Sequence, residues 1–438
     1  MPAELLAAAL LGACSLGTDP VPPRVVSAEL TMPMPLVRRL ELVLDQPAAA
    51  TVEYWAEDGP RLRVSAEVGT RPALLLTRLR PARHYQYHVL ATPTTGEFTT
   101  EPLPGDLAAV GLSATGTTTA PLVMLHLYDP AGFKGYAIVD GAGEVVWYWR
   151  TVDLPFGATR RENGNFVFMD KGRGLVEVSP DGSVLHELAQ DPEQEMHHDV
   201  ITSLRNTLLF IAFDARTVDE ERVLGDAIWE WDPEAGTATK RWSAWDHFSL
   251  ASDRGPFTGA EWMHANSLAI GPRGNVLLSV HHWNQIISIA TDWQGVEWRL
   301  GGPNSTIALP AELRFSGQHT AREVAPGRIL LFDNRRGLDA SSRALMLDFT
   351  GETAHERWQW APTPPNHASA LGSARLLDNG HVVVDFGLAV GVENSTGPVE
   401  VYEVTQTGAV VWHLVVGHTF GMYRAEPLPT VAGEQVVP

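Results

Sequence analysis

The chain has 438 residues, 44% of them hydrophobic, enough to bury one large core or two unequal ones. Its formal net charge of −20 argues against nucleic acid as a partner, because phosphate backbones need clustered Lys and Arg. Small anionic substrates stay open, since a local positive funnel can form on an acidic protein. The single cysteine, Cys14, permits no intramolecular disulfide.

Taken in chain order, residues 1–23 contain "LLAAALLGACSLGTDP", an apolar run too short to span a bilayer that ends on Leu11-Gly12-Ala13-Cys14. The pattern resembles a bacterial lipobox, in which the Cys becomes the lipidated N-terminus after the signal is cut. It predicts an exported lipoprotein of the periplasm or cell envelope that touches the membrane only through Cys14. The competing reading is an apolar tail with a chance Cys, and the flanking "MPAE" carries Glu4 and no Lys or Arg.

Residues 24–105 alternate apolar and polar over short spacings, as in "RRLELVLDQ" and "ATVEYWAE". Leu79, Pro81 and Tyr85 then fall in the L-x-P-x-x-x-Y pattern of a tyrosine corner, where a Tyr hydroxyl ties a loop to the backbone. A small fibronectin type III-like β-sandwich is predicted, closed by the Pro-rich linker "TTEPLPGD".

From 106 to 438 a loose repeat replaces it. A turn residue followed at once by an apolar run recurs at Gly164, Asn206, Gly274, Gly327 and Gly380. Each run leads to a second strand, a turn and commonly a Trp, as in "ISIATDWQGVEWRL" and "LMLDFTGETAHERWQW". This spacing predicts a radially repeated sheet. Five units are complete. The segment "PLVMLHLYDPAGFKGYAIVDGAGEVVWYW" lacks an innermost strand, and the C-terminal "GMYRAEPLP" supplies one, which makes a six-bladed β-propeller closed by its last strand. Trp147, Trp298, Trp358 and Trp412 are expected to pack between blades.

In such a ring the innermost strands line a central channel and the loops entering them rim one mouth. The segments at that position read "EMHHDVITSL", "EWMHANSLAIG", "FSGQHTAREVAPG" and "NHASALGSARLLDNG". Three carry a histidine at nearly one phase: His197 or His198, His264, and His319. His367 comes slightly earlier in the fourth. One such histidine is ordinarily a satisfied core or surface residue. Three at equivalent positions point to a shared pocket. "HHD" and "HAN" also admit a metal reading, but acidic partners are few and no H-E-x-x-H or Cys pair occurs, so no metal is expected. The "DNRR" at 333–336 either lines the channel or merely ends a strand.

The motifs "HHD", "MHANS", "LLSVHH…ISI…EWRLGG", "SGQH" and "ILLFDN", in this order over most of residues 121–430, resemble those of the bacterial arylsulfate sulfotransferases. These enzymes do without the phosphoadenosine cofactor. The resemblance implies ping-pong transfer of a sulfuryl group from a phenolic sulfate ester to a phenol, through a sulfo-histidine. It places the nucleophile at His319 and further catalytic groups at His264 and His198, with His197 a close second for the HHD role. Asn266, His197, His281 and Arg424 become substrate-binding candidates. No cofactor is implied, and no G-x-x-x-x-G-K-[ST] or G-x-G-x-x-G is present. One departure stands out. The family has an Arg shortly after the "LLS" strand, against the sulfuryl oxygens, where this chain has His281 and His282, so oxyanion binding is expected to be weaker or gated by pH. Two other functions remain open to the same residues: a non-catalytic binding or scaffold propeller on a lipid anchor, and a metal-dependent hydrolase.

Overall fold

Along Val37–Leu44 the side chains of Leu40, Leu42 and Leu44 are buried at every second position, the period of a strand with one face in a core. The computed structural model describes residues 22–256, 259–338 and 340–437, and the lipobox at Cys14 lies outside them. Val25–Met34, Val37–Leu44 and Ala73–Leu76 form a three-stranded sheet; Ala48–Ala56, Leu62–Gly69, His84–Val89 and Thr95–Thr99 belong to a second. Leu40, Leu42 and Leu74 of the first sheet meet Val52, Tyr54 and Leu62 of the second in one apolar core. The Tyr85 hydroxyl accepts a hydrogen bond from Arg80 N at 2.8 Å, the tie read from residues 79–85.

From residue 112 onward the described residues are again mostly β-strands, with three single turns of 3-10 helix between them. Five sheets each begin with a first strand and add the next three in sequence; these first strands are Pro155–Arg160, Met196–Thr202, Ala265–Ile270, His319–Ala325 and Ser373–Leu376. A sixth sheet is assembled from both ends of the region: Gly421–Leu428 pairs with Leu122–Tyr128, followed by Lys134–Asp140 and Val145–Arg150. Two pairings were not foreseen. Leu112–Gly116 adds to the outer edge of the Ser373–Leu376 sheet through Val410–Val416. Gln435–Val436 leaves these sheets and pairs with Leu62–Gly69, so the C-terminal strand extends the sheet built from residues 48–99.

Neighbouring sheets are joined by tryptophan. Trp147 stacks on Phe168 of the next sheet and donates to Pro180 O at 2.9 Å. Trp298 meets Phe349 edge-on, and Trp358 packs with Ala374 and Val382. Trp412 donates to Gly141 O at 2.9 Å, which carries the same contact from the Ser373–Leu376 sheet to the one containing Leu122–Tyr128.

The first strands are not regular. Their register slips between Pro155 and Ala158, His197 and Val200, Ala265 and Ser267, His319 and Arg322, and Met422 and Ala425. A bulge inserts an unpaired residue and re-aims the side chains beside it. His198 (φ 62°) and Thr320 (φ 50°), within these bulges, and His264 (φ 52°), just before one, stand in the left-handed region, a conformation that costs a non-glycine residue about 1–3 kcal/mol. Among the described residues no helix is long and apolar enough to cross a membrane.

Candidate functional site

Register slips at His198 and His319, and the left-handed residue His264 just ahead of Ala265–Ile270, accompany three histidines at one cavity of about 540 Å³, lined by His198, His264, His281, His282, His319, Glu261 and Arg336 among others. The imidazoles form a chain. Ring centroids lie 4.9 Å apart for His197 and His198, 4.6 Å for His198 and His264, 5.0 Å for His264 and His281, and 5.6 Å for His281 and His319.

His319 is almost wholly buried, and its ring is fixed by Asn334. Nδ1 lies 2.8 Å from Asn334 Oδ1 and 3.1 Å from Gly317 O. Both amide hydrogens of Asn334 are taken by Ala368 O and Leu371 O at 2.8 Å, so Oδ1 must face the imidazole. Nδ1 therefore carries the proton and Nε2 the lone pair. Burial pushes the His319 pKa down to about 3, which leaves the ring neutral at pH 7.

The loop before His319 is held from four sides. Ser316 N donates to Asp333 Oδ1 at 3.0 Å, and Gly317 N to Asn284 Oδ1 at 2.8 Å. Gln318 Nε2 donates to Ser279 Oγ, and Asn266 Nδ2 to Gln318 O at 2.7 Å. The Asp-Asn ending of "ILLFDN" thus has two tasks: Asp333 anchors the loop and Asn334 orients the ring.

His264 gives its Nδ1 proton to Glu261 Oε2, and that hydrogen bond holds the Glu261 carboxyl below its usual range. A carboxylate behind an imidazole stabilises the ring when its other nitrogen gains a proton. His282 stacks on His264 at 4.7 Å and donates Nδ1–H to Glu261 O at 3.0 Å. His198 pairs through Nδ1 with His197 Nδ1 at 2.7 Å and stacks on Phe156; burial and the neighbouring His264 push its pKa down.

Other sequence candidates occupy different places. His281 does line the cavity, but burial first and then His319 drive its pKa far below the ordinary histidine range. That shift favours the neutral ring at position 281. The positive charge comes instead from Arg336, whose Nη1 donates to His281 Nε2 at 3.4 Å. His197 sits behind His198, stacked on Phe213, with Nε2 3.3 Å from Asp226 Oδ1. Asn266 is fully buried and engages the loop through Gln318 O, outside the set that lines the cavity.

Arg424 also departs from its assignment. It is buried, bridges to Asp199 Oδ1 at 2.6 Å and donates to Asn266 O at 2.9 Å. It borders a different hollow of about 300 Å³ together with Arg322 and Glu426. Its charge is spent on joining first strands. His367 lines a third hollow of about 960 Å³, which shares Arg336 and Glu393 with the histidine cavity.

Glu261, Asn334 and Arg336 were missed as site residues. Their signals were faint: Glu261 stands three residues before His264 in "EWMH", while Asn334 and Arg336 lie in the "DNRR" that read either as channel lining or as a strand end. The acidic partner that the metal reading lacked is Glu261. Among the described residues, Glu261, His264 and His282 offer ligand atoms within 4.8 Å of one another.

A 12% identical protein of unknown function from Bacteroides caccae superposes with a TM-score of 0.48, over 72% of this chain and all of that one. A protein from Lactobacillus plantarum is 13% identical, with a TM-score of 0.41 over 87% and 100% of the two chains. A virginiamycin B lyase from Staphylococcus aureus is 13% identical, with a TM-score of 0.33 over 86% and 99%. No curated protein matches the chain. The family model of the arylsulfotransferases (ASST) matches residues 112–411, and the chain belongs to that family.

Proposed function

We propose that the protein moves a sulfuryl group from a phenolic sulfate ester to a phenol in two steps through a sulfo-histidine at His319. We read its six sheets as the blades of a β-propeller, and the two sheets before them as a fibronectin type III-like sandwich. The observation that carries the mechanism is the fixed tautomer of His319: Asn334 holds Nδ1–H, which leaves the Nε2 lone pair as the nucleophile.

In the first step Nε2 attacks sulfur and the S–O(aryl) bond breaks, its electron pair going to the phenolic oxygen. A phenol has a pKa of about 10, so this leaving group needs little help from a proton. His264, backed by Glu261, supplies that proton and later removes one from the acceptor phenol. The acceptor oxygen then attacks sulfur, the N–S bond breaks, and the pair returns to Nε2. Arg336 donates to the non-bridging oxygens throughout. The hollow beside Arg336 and Glu393 gives the aryl groups room.

Purified protein given 4-nitrophenyl sulfate is expected to release nitrophenolate at a rate that depends on added phenol. His319→Ala should slow this by roughly 10³-fold or more. With ³⁵S-labelled donor and no acceptor, label should accumulate on His319. Turnover undiminished in His319→Ala would remove the nucleophile.

A further inference from the structure

We propose that Glu261, His264 and His282 form a binding site for one borderline divalent cation such as Zn²⁺, at the rim of the histidine cavity. Two imidazoles and one carboxylate are the donor set that zinc prefers when a fourth position stays open to water or substrate. The three residues supply ligand atoms within 4.8 Å of one another. The side chains of His264 and Glu261 are 27% and 33% exposed, which leaves them room to adjust to the roughly 3.3 Å ligand spacing of a tetrahedral zinc centre.

The surroundings already meet a requirement of such a site. A ligating histidine commonly gives its other ring N–H to a carbonyl or carboxylate, which fixes the tautomer. His282 does so through Nδ1–H to Glu261 O at 3.0 Å, leaving Nε2 as its ligand nitrogen. His264 stacks on it at 4.7 Å, which puts the two rings side by side rather than on opposite walls. The His264 hydrogen shared with Glu261 is the one a cation would displace, moving it to the other ring nitrogen or to solvent.

The consequence rests on the transfer reading of the cavity. A cation here takes both halves of the His264–Glu261 pair, so zinc is an inhibitor of sulfuryl transfer and not its cofactor.

The test reads binding apart from activity. The full chain, stripped with chelator and dialysed, is titrated with Zn²⁺ against a chromophoric zinc indicator. One equivalent should bind in the wild type. Glu261→Gln and His282→Ala should each weaken binding at least tenfold, while His355→Ala, on an exposed strand position, should leave it unchanged. Near-ultraviolet circular dichroism checks that each variant is folded. Wild-type affinity in both folded variants, or no zinc bound at a hundredfold excess over protein, overturns the site. Zinc that binds at one equivalent yet leaves nitrophenolate release untouched overturns the inhibitory role alone, and a wild type with no turnover at all speaks against the transfer reading without touching the binding result.

Discussion

Asn334 holds the ring of His319 in the way a carboxylate holds the histidine of a hydrolase triad, with one difference that suits the proposed nucleophile. An amide fixes the tautomer without adding negative charge beside the ring. In Asn334→Ala, Gly317 O alone holds Nδ1–H and the ring can turn. We expect kcat for 4-nitrophenyl sulfate to fall about 10–100-fold, with donor KM within twofold. Steady-state kinetics decide this: an unchanged kcat would show that the backbone carbonyl suffices. At this scale the sequence was partly legible. His198, His264 and His319 could be aligned because each precedes the same turn and apolar run. Glu261, Asn334 and Arg336 could not, since a charged or amide residue near a strand end reads equally well as solvated. Arg424 misled for the complementary reason: nothing in "YRAEP" reveals that Asp199 is waiting for it.

At the scale of the element, the loop from Ser316 to Gln318 shows why a glycine stands just ahead of His319. Gly317 has φ 64°, and a Cβ there would come within 2.9 Å of Arg336 Cβ and 3.2 Å of His281 Nε2. Gly317→Ala should therefore cost about 1–3 kcal/mol in urea unfolding and depress turnover by moving the two cavity side chains. A variant with wild-type stability and rate would mean the loop can shift without consequence. Strand periodicity and turn residues made the sheets legible from sequence. The bulges were not, because the left-handed positions at or beside them, His198, His264 and Thr320, carry no glycine to mark them.

Across the whole molecule, the Arg424–Asp199 pair links Gly421–Leu428 to Met196–Thr202, and Arg424 reaches on to Asn266 O. Removing one partner strands the other as an uncompensated buried charge. Arg424→Ala should lower unfolding free energy by about 3–5 kcal/mol, measured by urea denaturation. A loss under 1 kcal/mol would mean that water replaces the guanidinium at little cost. The split sheet was legible because one segment lacked a first strand and another had no followers. The partner of Gln435–Val436 was not, since two residues carry no period.

Glu434, just before that final strand, accepts a hydrogen bond from Thr77 at 2.8 Å, and the two residues are 357 positions apart. At a ribosome's pace of about 5–20 residues per second, roughly 20–70 s separate their emergence. For that interval Leu62 and Arg63, at the edge of the nascent sheet, lack their eventual mates, an interval in which a holdase or a foreign β-edge can compete for them.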